Sequence, residues 1–426
     1  MKITPRSARL TRGERIFAKK EIRIAEAIRA GFGIAELRRH QQFRGAELAR
    51  EKSRDRLRPS LRLDVEAINA TLARRQGGYG RSARMKIEHD EVEFLAGIRG
   101  SETLGSPIAV LVRNRDHLTP KVRTLMDPIT GHGDPLTNPR PGHADYAGAL
   151  KYRQRDLRNV LERASARETA MRVCLGAICA QLLEALGIRT QSYVARIGGV
   201  EAPELDEWDQ TDVEASDVRC PHRATAELMI AAIDAAKAAG DTLGGKFVVR
   251  IDGVPVGVGS NRQPNQRLDG ILAGAVMGMQ TVRAVEIGLG AEVAATPGSA
   301  AHDVFALDGE SVVRTSNRAG GIEGGMSNGE PIVVRVAVKP IPTLMKALPS
   351  VNLHEGTGAP AAIVRSDVCV VPAAAIVAEA MVRLALVGPV LEKYGGDSME
   401  ETLDNLERSR EAAARLFARE GAPRRQ

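Results

Sequence analysis

The chain has 426 residues, 43% of them hydrophobic, which is enough for one large domain or two ordinary ones with a substantial core. Only 3% are aromatic, with a single Trp, so the core must be built from Ala, Val, Leu and Ile, and the stacking platforms that single-stranded nucleic acid requires are scarce. The formal charge of +7 is uneven: residues 1–62 hold 18 Lys and Arg against seven Asp and Glu, a surplus of +11, and the remainder carries −4, so basicity argues for nucleic acid only in that leader.

Residues 13–57 alternate charged residues with Ala, Leu and Ile at helical spacing, broken by Gly31-Phe32-Gly33 and ended by Pro59. That pattern predicts helices without a packed core. The texture changes at Leu63. Residues 65–74 read as an amphipathic helix, followed by a turn at Gly77-Gly78-Tyr79-Gly80, and residues 85–98 and 106–112 alternate as strands do. Residues 115–147 are rich in Pro, Gly, Asp and His without periodicity; they predict one long loop, a feature that in compact domains is usually functional.

Residues 165–186 predict a strong helix, because Ser165 and Glu168 have the S-x-x-E capping-box spacing ahead of an Ala/Leu run. Farther along, strands over 246–251 and 331–338 alternate with helices over 224–239, 268–285 and 373–386, and residues 398–420 read as a charged helix. The four cysteines, Cys174, Cys179, Cys220 and Cys369, form no CxxC pair and have no His at metal spacing. Neither a disulfide framework nor a metal site is expected, and a reducing cytoplasm is. The longest apolar stretch, 370–391, is interrupted by Glu379 and Arg383, so no membrane span is expected.

Several clusters carry potential chemistry. Arg158, Arg163, Arg167 and Arg172 flank the helix start at Ser165, where free N–H groups and guanidinium forks suit an anion as well as they suit an ordinary cap in solvent. Arg74, Arg75, Arg81 and Arg84 bracket the Gly77–Gly80 turn, and by themselves favour a solvated turn. His143, in Arg140-Pro141-Gly142-His143-Ala144-Asp145, has the residue type of a general acid to a phosphate leaving group. Gly320-Gly321-Ile322-Glu323-Gly324-Gly325 permits close approach of a flat ligand but lacks dinucleotide spacing. Lys339-Pro340-Ile341-Pro342-Thr343 is a rigid turn after an apolar strand, and Arg365-Ser366-Asp367 offers a cation and a carboxylate.

Read in order, LARRQGGYGRSARM, RPGHADYAGALKY, RNVLERASARETAMR, GDTLGGKF, RAGGIEGGMSNGEP, KPIPTLMK and RSDVCVVPAAA resemble the chorismate synthase family over about residues 63–400. The resemblance implies an α+β fold, a layered β-α-β sandwich in a single large domain spanning 63–400, with an atypical Arg-rich leader at 1–62, helical or without fixed structure, and a C-terminal helix and tail at 401–426. It implies a carbon–oxygen lyase that forms chorismate from 5-enolpyruvylshikimate 3-phosphate by anti 1,4-elimination of phosphate, using reduced FMN. By the same resemblance Arg163, Ala164, Ser165, Gln280, Thr281, Gly324, Lys339, Pro340, Ile341, Pro342, Thr343 and Arg365 contact FMN. Arg75 and Arg81 match positions that meet NADP or substrate anions, with NADPH one source of reducing equivalents. His143 matches the histidine that protonates the departing phosphate, and Asp367 the carboxylate that relays a proton at the flavin. A homotetramer without membrane or nucleic-acid partners is implied.

The leader departs from the family. A Gly-Glu-Ser-His-Gly segment is expected before Leu63, yet the histidine present there is His40, in Arg38-Arg39-His40-Gln41, to which no role carries over. Codons for Leu48-Ala49-Arg50-Glu51, read one base later, can encode Ser-His-Gly, as a compensated frame change would leave them. The sequence thus supports an enzyme first. Behind it stand a catalytically impaired relative that still binds FMN and anions, and a protein using its leader as a basic arm for nucleic acid.

Overall fold

In the computed structural model, which describes residues 57–82, 89–114, 120–127, 129–309, 311–364 and 367–416, Asp64 opens the first helix. Its backbone is extended and its Oδ1 accepts from the N–H groups of Glu66 and Ala67 at 2.9 and 3.1 Å, capping α1 (Val65–Gln76);. Of the leader, residues 1–56 with His40 and Arg50 lie outside the described residues. Its last six residues are packed structure: Leu57 and Leu61 reach the main core, and Ser60, Leu61 and Leu63 exchange backbone hydrogen bonds with Ser101 and Thr103. Packing therefore begins before Leu63, because the apolar side chains at 57 and 61 have a core to enter.

The strands expected over 85–98 and 106–112 are shorter. β1 (Val92–Ala96) pairs antiparallel with β2 (Ala109–Val112) through a bulge at Phe94/Ala96, and residues 83–88 lie outside the described set. The expected loop over 115–147 contains a helix, Pro120–Met126, which begins on a proline at its first position and at seven residues is too short to display a periodic face. It is followed by α2 (Asp145–Tyr152) and α3 (Leu157–Arg163). The helix expected over 165–186 opens as a 3₁₀ turn, Ala166–Glu168, before α4 (Thr169–Ala185).

The centre of the molecule is a five-stranded antiparallel sheet. It comprises β3 (Arg189–Ile197), β4 (Val200–Glu201), β5 (Gly245–Asp252), β6 (Val282–Ile287) and β7 (Ile332–Val338), in the order β4-β3-β5-β7-β6. Alternation sets its two faces. Phe247, Val249 and Ile251 of β5 and Ile332, Val334 and Val336 of β7 enter the main core. Val248 and Tyr193 face the other way, where the Tyr193 ring meets Trp208 edge to face at 4.6 Å. Between the strands lie α5 (Arg223–Ala238) and α6 (Leu268–Met277). The helix expected to reach 285 stops at Met277, because Gly278 caps it, Thr281 takes φ +74°, and Val282 then enters β6.

The covering layer on the core face is α7 (Val371–Tyr394), packed on α4, α6, α1, β3 and β5. By length and composition α7 could span a bilayer, but 72% of its apolar window is buried inside the protein, so it is a core helix. The C-terminal α8 (Met399–Leu416) buries Met399, Thr402 and Leu406. Together the layers make one α+β domain.

The approach of α4 to α7 depends on small residues. A Cβ added at Gly176 would stand 2.4 Å from Ala380 Cβ and 2.5 Å from its Cα. Gly176→Ala gains about 1 kcal/mol of helix propensity but overpacks a contact whose neighbour is backbone, at about 1–3 kcal/mol. The clash is expected to win, so the variant melts lower than the native chain by calorimetry; a higher melting temperature would show that the two helices separate freely.

Candidate active site

The turn before α2 holds a buried clamp. Asp145 is 0% exposed. Its Oδ2 accepts from the Arg140 backbone N–H at 3.0 Å and from Arg140 Nε at 2.8 Å, while its Oδ1 takes Arg140 Nη2 at 2.9 Å and His143 Nδ1 at 2.6 Å. Arg140 Nη2 also lies 3.1 Å from His143 Nδ1. Since the 2.6 Å contact to a carboxylate requires a proton on Nδ1, the arginine and the ring are two donors sharing one oxygen. Burial, the largest influence, pushes the Asp145 carboxyl up; the hydrogen bonds from His143 and Arg140 and the arginine's charge together outweigh it and hold the group well below the usual carboxylate range;. The His143 side chain is 15% exposed, and its Nε2 stands 3.5 Å from Arg140 Nη2.

This turn is tied to the segment after β7. Lys339 Nζ donates to Gly142 O at 2.5 Å, and Pro342 packs beside Gly142, whose φ is +76°. Burial, and after it the nearby Arg283, lowers the Lys339 ammonium pKa. The Lys339 N–H donates to Thr281 O at 2.9 Å. Thr281 is a β-branched residue at positive φ, a conformation that costs on the order of 1–3 kcal/mol and persists where surroundings over-determine it. Its neighbour Gln280 donates Nε2 to Glu168 Oε1 at 2.6 Å. Contacts therefore run from the Ser165–Glu168 turn through Gln280, Thr281 and Lys339 to Gly142 and His143.

The expected capping box is half made. Ser165 Oγ accepts from the Arg167 N–H at 3.3 Å, but the Ser165 N–H donates to Glu162 O, and the Glu168 carboxylate holds Arg172 Nε and Gln280. The arginines around Ser165 also separate. Arg167 is buried on Asp90, Arg172 sits on Glu168, and Arg158 on Asp156. Arg163 is exposed, its guanidinium 5.0 Å over the Tyr152 ring;. Ala164 ends α3, and Ile341 O accepts from Thr242 Oγ1 at 2.8 Å.

The remaining expected residues form a second group. Arg81 Nε pairs with Asp367 Oδ2 at 3.1 Å, the Ser82 N–H donates to Asp367 Oδ1 at 2.7 Å, and the Val368 N–H donates to Gly80 O. The turn glycines serve packing: at Gly80, φ +87°, a Cβ would crowd Ile233 and Cys369. Leu243 joins the two groups, its N–H donating to Val368 O beside Thr242. Arg75, expected at an anion, is 6% exposed and faces inward, with donors on Thr169, Asp90 and Ala166 O. Gly320 and Gly321 are required by backbone approach to Gly288 and Pro331, whereas a Cβ at Gly324 would meet only Met326 Cε, at 3.9 Å. Gly324 adjoins Gly325, whose contacts run to Gly259 and Leu268. Arg365 and Ser366, like Arg84, lie outside the described residues.

Sequence reasoning passed over Asp145, Glu168 as a tertiary ligand, and Arg283. For Asp145 a signal existed: a carboxylate two residues after a histidine, entering a helix.

Fold and site together describe an α+β enzyme with one clamped histidine tied through Gly142 to a lysine. The chain belongs to the chorismate synthase family, whose family model matches residues 54–391, and it is a lyase. It is 52% identical over 350 residues to a chorismate synthase of Desulforudis audaxviator (80% of this chain, 90% of that protein). A chorismate synthase of Mycolicibacterium smegmatis is 51% identical over 354 residues (80% and 88%). A solved structure, titled "Crystal Structure of Chorismate Synthase", superposes with a TM-score of 0.65 at 39% identity, covering 83% of this chain and 90% of that one.

Proposed function

We propose that the chain forms chorismate by 1,4-elimination of phosphate from 5-enolpyruvylshikimate 3-phosphate, with His143 as the acid that meets the leaving phosphate. The observation that carries this reading is the His143 turn held against Lys339: a proton donor and a partly desolvated cation share one short stretch of backbone at Gly142. In a 1,4-elimination a C–H bond and the C–O bond to phosphate break on the two carbons flanking one C=C bond, which leaves a conjugated diene, and nothing is oxidised overall. The substrate's phosphate and two carboxylates call for fixed cations. Arg81 stands at a position assigned to NADP or substrate anions, and Arg163 and Arg365 border the region that the substrate shares with the flavin. Asp367, fixed by Arg81 and Ser82, is assigned the relay of the second proton.

Reduced FMN is the cofactor of this reading. The residues suit it in kind: Lys339 and Arg163 for the phosphate, Ala164, Ser165, Gln280, Thr281 and the 340–343 turn for polar and backbone contacts, and Gly324 with open space where a Cβ would stand. When bound, reduced flavin supplies an electron-rich ring that assists departure of the phosphate. NADPH, met by Arg81, or an external reductase keeps it reduced, and the enzyme acts as a cytoplasmic homotetramer.

Flavin fluorescence titration with and without the phosphorylated substrate tests the site. Lys339→Ala and Arg163→Ala are each expected to weaken binding by about 10- to 100-fold, the worth of one hydrogen bond to a charged group. Arg223→Ala, at a side chain 92% exposed on α5, leaves binding unchanged. Equal losses for all three would reduce the effect to bulk charge and remove the site.

A further inference from the structure

We propose that Asp145 is a positioning residue for catalysis, which holds the His143 ring in one tautomer and orientation, with Arg140 locking Asp145 in turn. This deepens the proton-donor reading of His143 and rests on it. The carboxylate is fully buried at the first residue of α2 and receives four donors: Arg140 N–H, Nε and Nη2, and His143 Nδ1. A carboxylate present only to cap the turn would be satisfied by Arg140. Here its shortest contact, 2.6 Å, goes to the imidazole instead. Rotating the ring would break that contact, and Arg140 Nη2, 3.1 Å from Nδ1 and 3.5 Å from Nε2, packs against the ring in the orientation it has.

The consequence is chemical. A histidine that accepts on Nδ1 cannot be a well-placed imidazolium donor; one whose Nδ1–H is held by an ionised carboxylate presents Nε2 to its substrate. In the transfer, the Nε2–H bond breaks as an O–H bond forms on the departing phosphate. The ring loses its positive charge while Nδ1–H stays on Asp145, which is never protonated, in keeping with a carboxyl held well below the usual range. Arg140 has a second effect: its guanidinium keeps the buried carboxylate charged when the ring is neutral, so the clamp survives each turnover.

The test is Asp145→Asn in the full chain. The Arg140 backbone N–H and Nε hold the amide oxygen at the Oδ2 position, which turns the amide NH₂ toward His143, forces Nδ1 to accept, and gives up the Arg140 Nη2 contact. Nitrogen-15 shifts of the His143 ring are therefore expected to show Nδ1 protonated in the native chain and unprotonated in the variant. Turnover should fall by roughly 10²–10⁴-fold, the range for loss of a general acid, with little change in KM and none in flavin affinity. Asp145→Glu, which retains a carboxylate, should recover part of the loss, and the double variant with His143→Ala should be no slower than His143→Ala alone. A slow His143→Ala beside an unaffected Asp145→Asn, or losses that multiply in the double variant, overturns the role of Asp145. Full turnover in His143→Ala overturns the acid assignment and this inference with it. Should Asp145→Asn not fold, the native shifts decide: an unprotonated Nδ1 overturns the proposal.

Discussion

His143→Ala is expected to lower turnover of 5-enolpyruvylshikimate 3-phosphate by roughly 10²–10⁴-fold, the range for removing a general acid, while KM moves far less. The asymmetry follows from where the charge develops. In the proposed reading, the extra negative charge that His143 neutralises appears only as the C–O bond breaks, so the lost interaction belongs to the transition state. Steady-state kinetics at saturating reduced flavin, with phosphate release as readout, measure it. His143→Gln keeps the polarity without the proton and should be as slow as His143→Ala. Unchanged turnover, or a loss confined to KM, would leave His143 as a binding residue and move the acid elsewhere.

Glu379→Leu is expected to destabilise the fold by about 3–5 kcal/mol, the cost of removing one partner from a buried ionic cluster. Glu379 lies in the middle of α7 and is completely buried. It accepts from Arg74 at 3.1 Å, from Arg383 at 3.2 Å and from Ser192 Oγ at 2.6 Å, with Arg219 Nη2 at 3.6 Å. Glu214 binds Arg74 and Arg219 from the outer side, at 2.6 and 2.7 Å. Leucine nearly fills the volume but takes the carboxylate away from Arg383, which is largely buried, while Arg74 and Arg219 keep Glu214 alone. Burial pushes the Glu379 carboxyl up, and the charges of Arg74, Arg383 and Arg219 outweigh it and hold it below its ordinary value. Glu214 is likewise lowered, to about 2.

The sign for acid stability follows from those shifts. A carboxylate whose pKa is depressed by folding stabilises the native state above its unfolded pKa, near 4.5, and loses that contribution as pH falls through the folded value;. The native chain should therefore weaken as pH drops from about 4.5 toward 2, and Glu379→Leu, lacking one such group, should weaken less steeply. Denaturant unfolding at pH 7 and below pH 4 measures both effects. A variant as stable as the native chain at pH 7 would show that the arginines find water or other partners at no cost.

Local signals carried most of the fold. The helix expected over 65–74 runs from Val65 to Gln76 and buries Ile68 and Leu72, and the strands expected over 246–251 and 331–338 run Gly245–Asp252 and Ile332–Val338, paired side by side in the sheet. Where local signals were weak, tertiary structure decided. The helix ending at Met277 gives way to a strand because β6 finds a ladder partner in β7, and no window of sequence contains that partner.

The site divides along the same line. The amino-acid sequence by itself determined the family, the α+β class, and the motif segments on which His143, Lys339, Ser165 and Asp367 stand, since each is a short-range pattern of glycines, prolines and charges. It could not say which arginines are already neutralised. Arg167 meets Asp90 from 77 positions away and Arg74 meets Glu379 from 305, so three-dimensional pairing alone decided that several cations expected to await an anion are internal struts. Asp145 is the converse case. Two residues from His143 in the chain, it became a partner only when Arg140 and the buried first turn of α2 removed water from around it, because a carboxylate holds an imidazole in one tautomer only where solvent cannot compete for the proton.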